Sequence, residues 1–318
     1  MTPRLERTTF RAVGTTCSAA VTAGAGDARR ARAALAAARS EVAACEAALS
    51  RFDPASDLSR LNTAGGAWTA VDRRLLEALR LAFRARRETG GRFDPTVLPA
   101  LLAAGYDRSF EQLVERPART AAGWRAGATV ELDEVRGLAR LQRGAALDLG
   151  GIGKGYAASR ALDAMEAAWP GMPGGLVDLG GDLALRGRTP ESGPWRIAVA
   201  DPRRAGATAG VLLLHGGGVA TSGRDVRRFG PGGSLHHLID PETGEPAVAG
   251  PLTVTVVAPD AAEAEAHATA LAIAGPEEAG AHVAAHPRIS ALYVRQHGDP
   301  LPLGALPLAR ARILVRVA

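Results

Sequence analysis

LDLGGIGKGYAASRAL, residues 147–162, contains the one lysine of a 318-residue chain. Of its 38 Lys and Arg residues, Lys154 is that lysine and 37 are arginine. In a chain so rich in Arg, a retained ammonium points to a place where a compact charge works and a planar guanidinium does not. The surrounding pattern describes that place. Leu147–Leu149 reads as the end of a buried strand, Gly150, Gly151, Gly153 and Gly155 let backbone amides approach a ligand, and Tyr156–Ala168 has helical composition. This order aims a helix N-terminus and a cation at an anion. Glycines also simply make turns, and the stretch alone leaves both readings open.

Two familiar phosphate loops do not match. A Walker A loop requires Ser or Thr after its lysine, where this chain has Gly155. The dinucleotide pattern G-x-G-x-x-G fails because Gly151 and Gly153 are followed by Tyr156 at the third glycine position. The expectation is a phosphate-facing loop of another kind.

Composition narrows the class. With 47% hydrophobic and 22% charged residues the chain is globular and long enough to bury a large core. The net charge of +5 is spread along the chain among 33 acidic residues, without a basic tract or a stacking aromatic platform, which argues against nucleic acid as a partner. Cys17 and Cys45 lack metal-finger or CxxC spacing and read as small core residues of a reduced compartment. The N-terminal MTPRLERTTF is not followed by an apolar signal region, and no apolar run approaches a membrane span. A soluble, cytoplasmic protein without a membrane partner is expected.

Along the chain, Phe10–Thr22 reads as a strand interrupted at Gly14, followed by a helix over Asp27–Ser50 with Leu35, Val42, Cys45 and Leu49 on one face. A second helix starts at the N-cap Asp72, buries Leu76, Leu79 and Phe83, and stops at Gly90-Gly91. Strands are predicted at Val130–Leu132, Leu138–Gln142, Leu176–Leu179, Trp195–Ala200, Val211–His215, Leu252–Ala258, Ile289–Val294 and Ile313–Val317. Asp260 with Glu263 at N3 announces a capped helix between the strands at Leu252 and Ile289. There is no repeat and no linker, so the expectation is one α+β domain over residues 1–318, with mixed sheets and flanking helices.

Six clusters are rich in groups that do chemistry: VGTT (Val13–Thr16), FDPASDLSRLN (Phe52–Asn62), GGRFDPTV (Gly90–Val97), ATSGRDVRRF (Ala220–Phe229), HHLIDPETGEP (His236–Pro246) and AEAEAHATAL (Ala262–Leu271). In the last, Glu265 and Thr269 share a helix face, four residues apart. A carboxylate beside a hydroxyl offers hard oxygens of the kind Mg²⁺ takes, although an exposed Glu and a Thr bonded to its own backbone give the same spacing. His267 points elsewhere and reads as structural. His237, ahead of the Asp240-Pro241 and Thr243-Gly244 turns, is placed to accept a proton from a hydroxyl or to serve structure, whereas adjacent His236 reads as structural. Asp94 before Pro95 either caps a turn or binds ribose and ring polar atoms, and spacing does not choose.

In this order the clusters resemble the FAD:protein FMN transferase (ApbE) family from about Phe10 to Gly275. The matching pieces are Gly14-Thr15, Ser50–Asn62, Phe93–Val97, Asp148–Tyr156, Gly180-Gly181-Asp182, Thr221-Ser222-Gly223, His237–Pro246 and Ala264–Leu271. The resemblance implies a T-fold-related α+β domain with FAD in a cleft between two lobes. It implies Mg²⁺-dependent transfer of FMN from FAD to a Thr or Ser hydroxyl of an acceptor flavoprotein, with release of AMP. Carried over, Val13, Phe52, Asp94, Pro95, Thr96, Asp148, Lys154 and Ile239 would bind FAD, the Gly151 carbonyl with Glu265 and Thr269 would hold Mg²⁺, and His237 would act on the acceptor hydroxyl.

The chain departs from the family pattern at four positions. Val13 stands where Met is usual, Phe52 replaces Tyr, Glu265 replaces Asp, and Ser159 replaces an acid. Two other outcomes therefore stand beside transfer: a Mg²⁺-dependent FAD pyrophosphatase giving FMN and AMP, and an FAD-binding protein without catalysis.

Overall fold

The segment predicted as one interrupted strand folds as a hairpin, β1 (Arg4–Ala12) and β2 (Thr15–Ala23), with Ala12 opposite Thr15. Its two-residue turn places Val13 at φ 45° and Gly14 at φ 69°. Two successive positive φ values match the twist of the flanking strands, but a β-branched residue is strained there. Glu46 on the next helix restrains the turn, accepting the Val13 amide at 2.8 Å.

The computed structural model describes residues 3–108, 113, 124–224, 228, 229 and 235–309. The predicted strand Ile313–Val317 and the Asp225–Arg227 part of the ATSGRDVRRF cluster lie outside the described residues. After β2 come α1 (Ala28–Leu49), α2 (Asp57–Thr63), β3 (Thr69–Ala70), α3 (Arg73–Glu88), α4 (Leu98–Ala103), β4 (Val130–Asp133), β5 (Leu138–Leu141) and α5 (Gly153–Ala168). Next are β6 (Gly174–Leu179), β7 (Leu183–Gly187), β8 (Trp195–Ala200), β9 (Thr208–Leu214), β10 (Gly216–Gly223), β11 (Arg228–Phe229), β12 (Leu235–His236), β13 (Ile239–Asp240) and β14 (Glu245–Pro246). The described elements end with β15 (Thr253–Ala258), α6 (Ala261–Leu271), α7 (Pro276–Ala285), β16 (Ser290–Val294) and β17 (Leu301–Leu303).

Eight strands form one sheet in the order β1-β2-β6-β7-β10-β15-β16-β17. Every pairing in it is antiparallel. Alternation along the strands sends neighbouring residues to opposite faces of the sheet. Leu185, Val219 and Leu292 meet Trp195, Val199 and Leu212 of the β8–β9 hairpin. Ala184 joins the core of α1 and α5, while Ala220, Ala291 and Tyr293 pack with α6 and α7. The architecture is α+β, with antiparallel sheets and packed helices. Among the described residues no helix is long and apolar enough to cross a membrane.

The helix ends follow their sequence signals. Asp72 accepts the Arg74 amide at 2.7 Å, and α3 gives way to Gly90 and Gly91 at φ 59° and 85°. Asp260 accepts the amides of Ala262 and Glu263 at 2.8 and 3.3 Å. Glu263 instead directs its carboxylate to Arg288, 3.7 Å away.

Two expectations change. Leu147–Leu149 joins no sheet, because its backbone groups are taken by the Asn62 side chain of α2 and by the Pro95 carbonyl. The Asn62 amide side chain donates to the Leu147 carbonyl at 2.9 Å and accepts its N–H at 2.8 Å, while the Asp148 N–H goes to the Pro95 carbonyl at 2.8 Å. Gly155 serves packing rather than ligand approach. A Cβ there would lie 2.1 Å from the Ala261 carbonyl oxygen, so the missing side chain is what lets α5 and α6 meet.

Candidate active site

A cavity of about 1170 Å³ opens where the β1–β2 turn, the end of α1, the loop before α5, the β6–β7 turn, β8, β10 and α6 meet. Val13, Phe52, Asp94, Asp148, Gly151, Lys154, His237, Ile239, Glu265 and Thr269 all line it. Residues far apart in the chain thus share one wall.

The loop before α5 is built by its own carboxylate. Asp148 accepts the Gly150 amide at 2.7 Å through Oδ1, and its other oxygen forms a close ion pair with Arg51. This fold-back leads the chain through Gly151 into α5, whose second residue is Lys154. Gly151 sits tightly, since a Cβ on it would fall 2.8 Å from Thr269 Oγ1.

Lys154 lies between two acids. Its ammonium is ion-paired with Asp182 and is 3.3 Å from Glu265 Oε1. Glu265 also accepts the Gly155 amide through Oε2 at 2.7 Å, so the carboxylate caps the start of α5. Thr269, one turn further along α6, donates to the Gly151 carbonyl at 3.4 Å. Among the described residues no group of three or more His, Cys, Asp or Glu is arranged to hold a metal. The Gly151 carbonyl, Glu265 and Thr269 present instead a mixed set of hard oxygens of the kind Mg²⁺ takes.

Beside Asp148, the Arg51 side chain is buried under two aromatic rings. Its guanidinium carbon lies 4.1 Å from the centroid of Phe52 and 4.9 Å from that of Tyr106, and Nη2 donates to the Tyr106 carbonyl at 3.0 Å. Phe52 stays 46% exposed, leaving a ring face for a ligand. Tyr106 stands 6.3 Å from both Phe52 and His237, measured between ring centroids. Adjacent His236 is structural, with Nε2 2.8 Å from the Ala247 carbonyl.

Pro95 and Thr96 are not among the residues that line the cavity; they pack next to Asp94, which does. Pro95 receives the Asp148 amide, and Thr96 is buried with its hydroxyl donating to Asp94 Oδ1 at 2.7 Å and its carbonyl receiving Trp124 Nε1 at 3.1 Å. Asp94 itself is a nearly buried carboxylate with Arg86 Nε 3.0 Å from Oδ2, in an ion pair out of hydrogen-bond alignment. That environment makes it an anchor of the loop as well as a lining residue.

The ApbE family model matches residues 13–293. The chain belongs to the ApbE family. A protein from Klebsiella pneumoniae (strain 342) named FAD:protein FMN transferase is 31% identical over 242 residues, 74% of this chain and 66% of that protein. Its namesake from Escherichia coli (strain K12) is 40% identical over 135 residues, 42% of this chain and 38% of the relative. The crystal structure of an ApbE protein from Thermotoga maritima superposes with a TM-score of 0.81 at 27% identity, covering 94% of this chain and 97% of that one.

In this member of the ApbE family, sequence reasoning missed three residues of the cavity. Asp182 appeared only as part of the GGD turn, although its position two residues after Gly180 was visible. Arg51 lies inside a quoted cluster between Ser50 and Phe52, but nothing in the sequence marks its guanidinium as buried. Tyr106 carried no signal beyond being one of three tyrosines.

His267 faces away from this cavity and belongs to a cluster behind α6. Its Nδ1 lies 2.8 Å from His282 Nε2, and the His282 ring stacks on His286 at 4.2 Å. Burial, aided by repulsion from His282 and His286, pushes His267 down to about 3, and burial with the neighbouring His286 pushes His282 down to about 4. His267 and His282 are thereby held neutral as structural groups.

Proposed function

We propose that this chain transfers FMN from FAD to a Thr or Ser hydroxyl of an acceptor flavoprotein and releases AMP. The carrying observation is the juxtaposition in one cavity of Lys154, the oxygen set of Gly151, Glu265 and Thr269, and the Arg51–Phe52–Tyr106 stack. One end can neutralise a pyrophosphate and the other can hold a planar ring. The names of the Klebsiella and Escherichia relatives support the same activity.

The chemistry is substitution at the FMN phosphorus. The acceptor oxygen forms a new P–O bond, the bond to the bridging oxygen breaks, and AMP departs with that oxygen. Mg²⁺ held by the Gly151 carbonyl, Glu265 and Thr269 would supply charge neutralisation on the pyrophosphate. Lys154, at the start of α5, adds an ammonium. Phe52 and Tyr106 orient the ring, and His237 takes the proton of the attacking hydroxyl. With no acceptor present, water in place of that hydroxyl would make the same site a pyrophosphatase.

Incubation with FAD, Mg²⁺ and a threonine-bearing acceptor peptide, followed by mass spectrometry and AMP assay, tests this. A peptide heavier by FMN, with AMP formed alongside, is expected. AMP and free FMN without an adduct would replace transfer by hydrolysis, and neither product would reduce the role to FAD binding.

A further inference from the structure

Lys154 and the proposed cation draw on the same carboxylate. Glu265 has one oxygen tied to the Gly155 amide, and the other, Oε1, is 3.3 Å from the lysine ammonium. A divalent cation at the Gly151 carbonyl, Thr269 and Glu265 would meet a like charge leaning on its only carboxylate ligand. Something must hold the ammonium away.

We infer that Asp182 is this positioning residue: it anchors Lys154 so that Glu265 remains available to a divalent cation. The inference rests on the cation site proposed above. Three observations support it. First, Asp182 is ion-paired with Lys154, and both acids are almost fully enclosed, with side-chain exposures of 2% for Asp182, 3% for Glu265 and 19% for Lys154. Second, the anchor is stiff. Asp182 follows Gly180 and Gly181 at φ 73° and 99° in the β6–β7 turn, the Gly181 amide donates to Asp178 Oδ1 at 2.8 Å, and the Asp182 carbonyl receives the Leu179 amide at 3.0 Å. Third, one ammonium and two carboxylates carry a formal charge of −1, so these three side chains together attract a further cation. Without Asp182, Lys154 and Glu265 would neutralise each other and the attraction for a further cation would vanish.

A double-mutant cycle on the full chain tests this, with Mn²⁺ as the probe and binding read by the electron paramagnetic resonance of the free ion. Asp182→Asn should weaken Mn²⁺ binding at least tenfold. Lys154→Met should bind Mn²⁺ at least as tightly as the wild type, and the double variant Asp182→Asn/Lys154→Met should recover most of the lost affinity because the competing ammonium is gone. If the double variant stays as weak as Asp182→Asn, Asp182 acts directly on the metal and the inference falls. Wild-type affinity in Asp182→Asn also overturns it. Should Asp182→Asn fail to fold, Lys154→Met alone decides, since weaker Mn²⁺ binding by that variant contradicts a competing lysine. A wild-type chain that binds no Mn²⁺, or a Glu265→Ala variant that binds it normally, overturns the cation site together with the inference. The other negative results overturn the inference alone.

Discussion

Replacing Gly155 with alanine should destabilise the protein although the residue is helical. In an exposed helix interior this change stabilises by up to about 1 kcal/mol, because glycine loses more backbone freedom on folding. Here the added Cβ would lie 2.1 Å from the Ala261 carbonyl oxygen and 2.5 Å from its carbon, where ordinary contact begins at 3.4 Å. Both partners are backbone, so no rotamer change relieves the collision, and α5 and α6 would have to separate by about 1.3 Å. Overpacking of this kind costs about 1–3 kcal/mol, and the closed helix contact puts the net effect at about 2 kcal/mol of lost stability. The same displacement pulls the Gly155 amide from Glu265 Oε2 and should weaken Mn²⁺ binding. Gly153→Ala is the matched control, since its Cβ would meet nothing closer than Leu149 Cβ at 3.8 Å. Urea unfolding followed by circular dichroism gives both midpoints. A Gly155→Ala midpoint equal to or above that of Gly153→Ala would refute the packing argument.

Other perturbations separate the parts of the site. Glu265→Ala should abolish Mg²⁺-dependent AMP release while FAD binding persists, and unchanged turnover would refute the metal assignment. Arg51→Lys keeps a charge beside Asp148 but loses the planar stack on Phe52 and Tyr106, which should weaken FAD binding about five- to thirtyfold, on the order of 1–2 kcal/mol. An unchanged dissociation constant in a fluorescence titration would contradict that role. The histidine cluster makes stability depend on pH. His267 and His282 lie at about 3 and about 4 in the folded chain, below the ordinary 6.5, so above pH 6.5 neither group contributes a pH dependence. As pH falls below 6.5 the unfolded chain takes up protons that the folded chain refuses, and stability is lost down toward pH 4 for His282 and pH 3 for His267, by about 1.4 kcal/mol per histidine at pH 5.5. Urea midpoints at pH 7.5 and 5.5 should show this drop, with a smaller one in His282→Gln; equal drops would count against it.

Much of the secondary structure was legible because its signals are local. Asp72 and Asp260 cap the helices they precede, Gly90-Gly91 follows α3, and strands form at or within one residue of the predicted Trp195–Ala200 and Leu252–Ala258. The interrupted first strand became a hairpin because Val13 joins Gly14 in the left-handed region, a cost that the Glu46 contact across the fold helps to hold in place. Leu147–Leu149 had the apolar run of a strand but joined none, since Asn62 and Pro95 supply its hydrogen bonds.

The amino-acid sequence by itself determined the family, through ordered motifs whose residue types suit phosphate, metal and ring chemistry, and it singled out Lys154 by composition alone. Tertiary structure decided what each charge faces. Lys154 meets Asp182 and Glu265, 28 and 111 positions along the chain; Arg51 is buried against Asp148 and Tyr106; and Gly155 exists for the sake of Ala261. Propensity and capping act over a few residues and can be read from neighbours in sequence. Electrostatic pairing and close packing act over a few ångströms between segments that only the folded chain brings together.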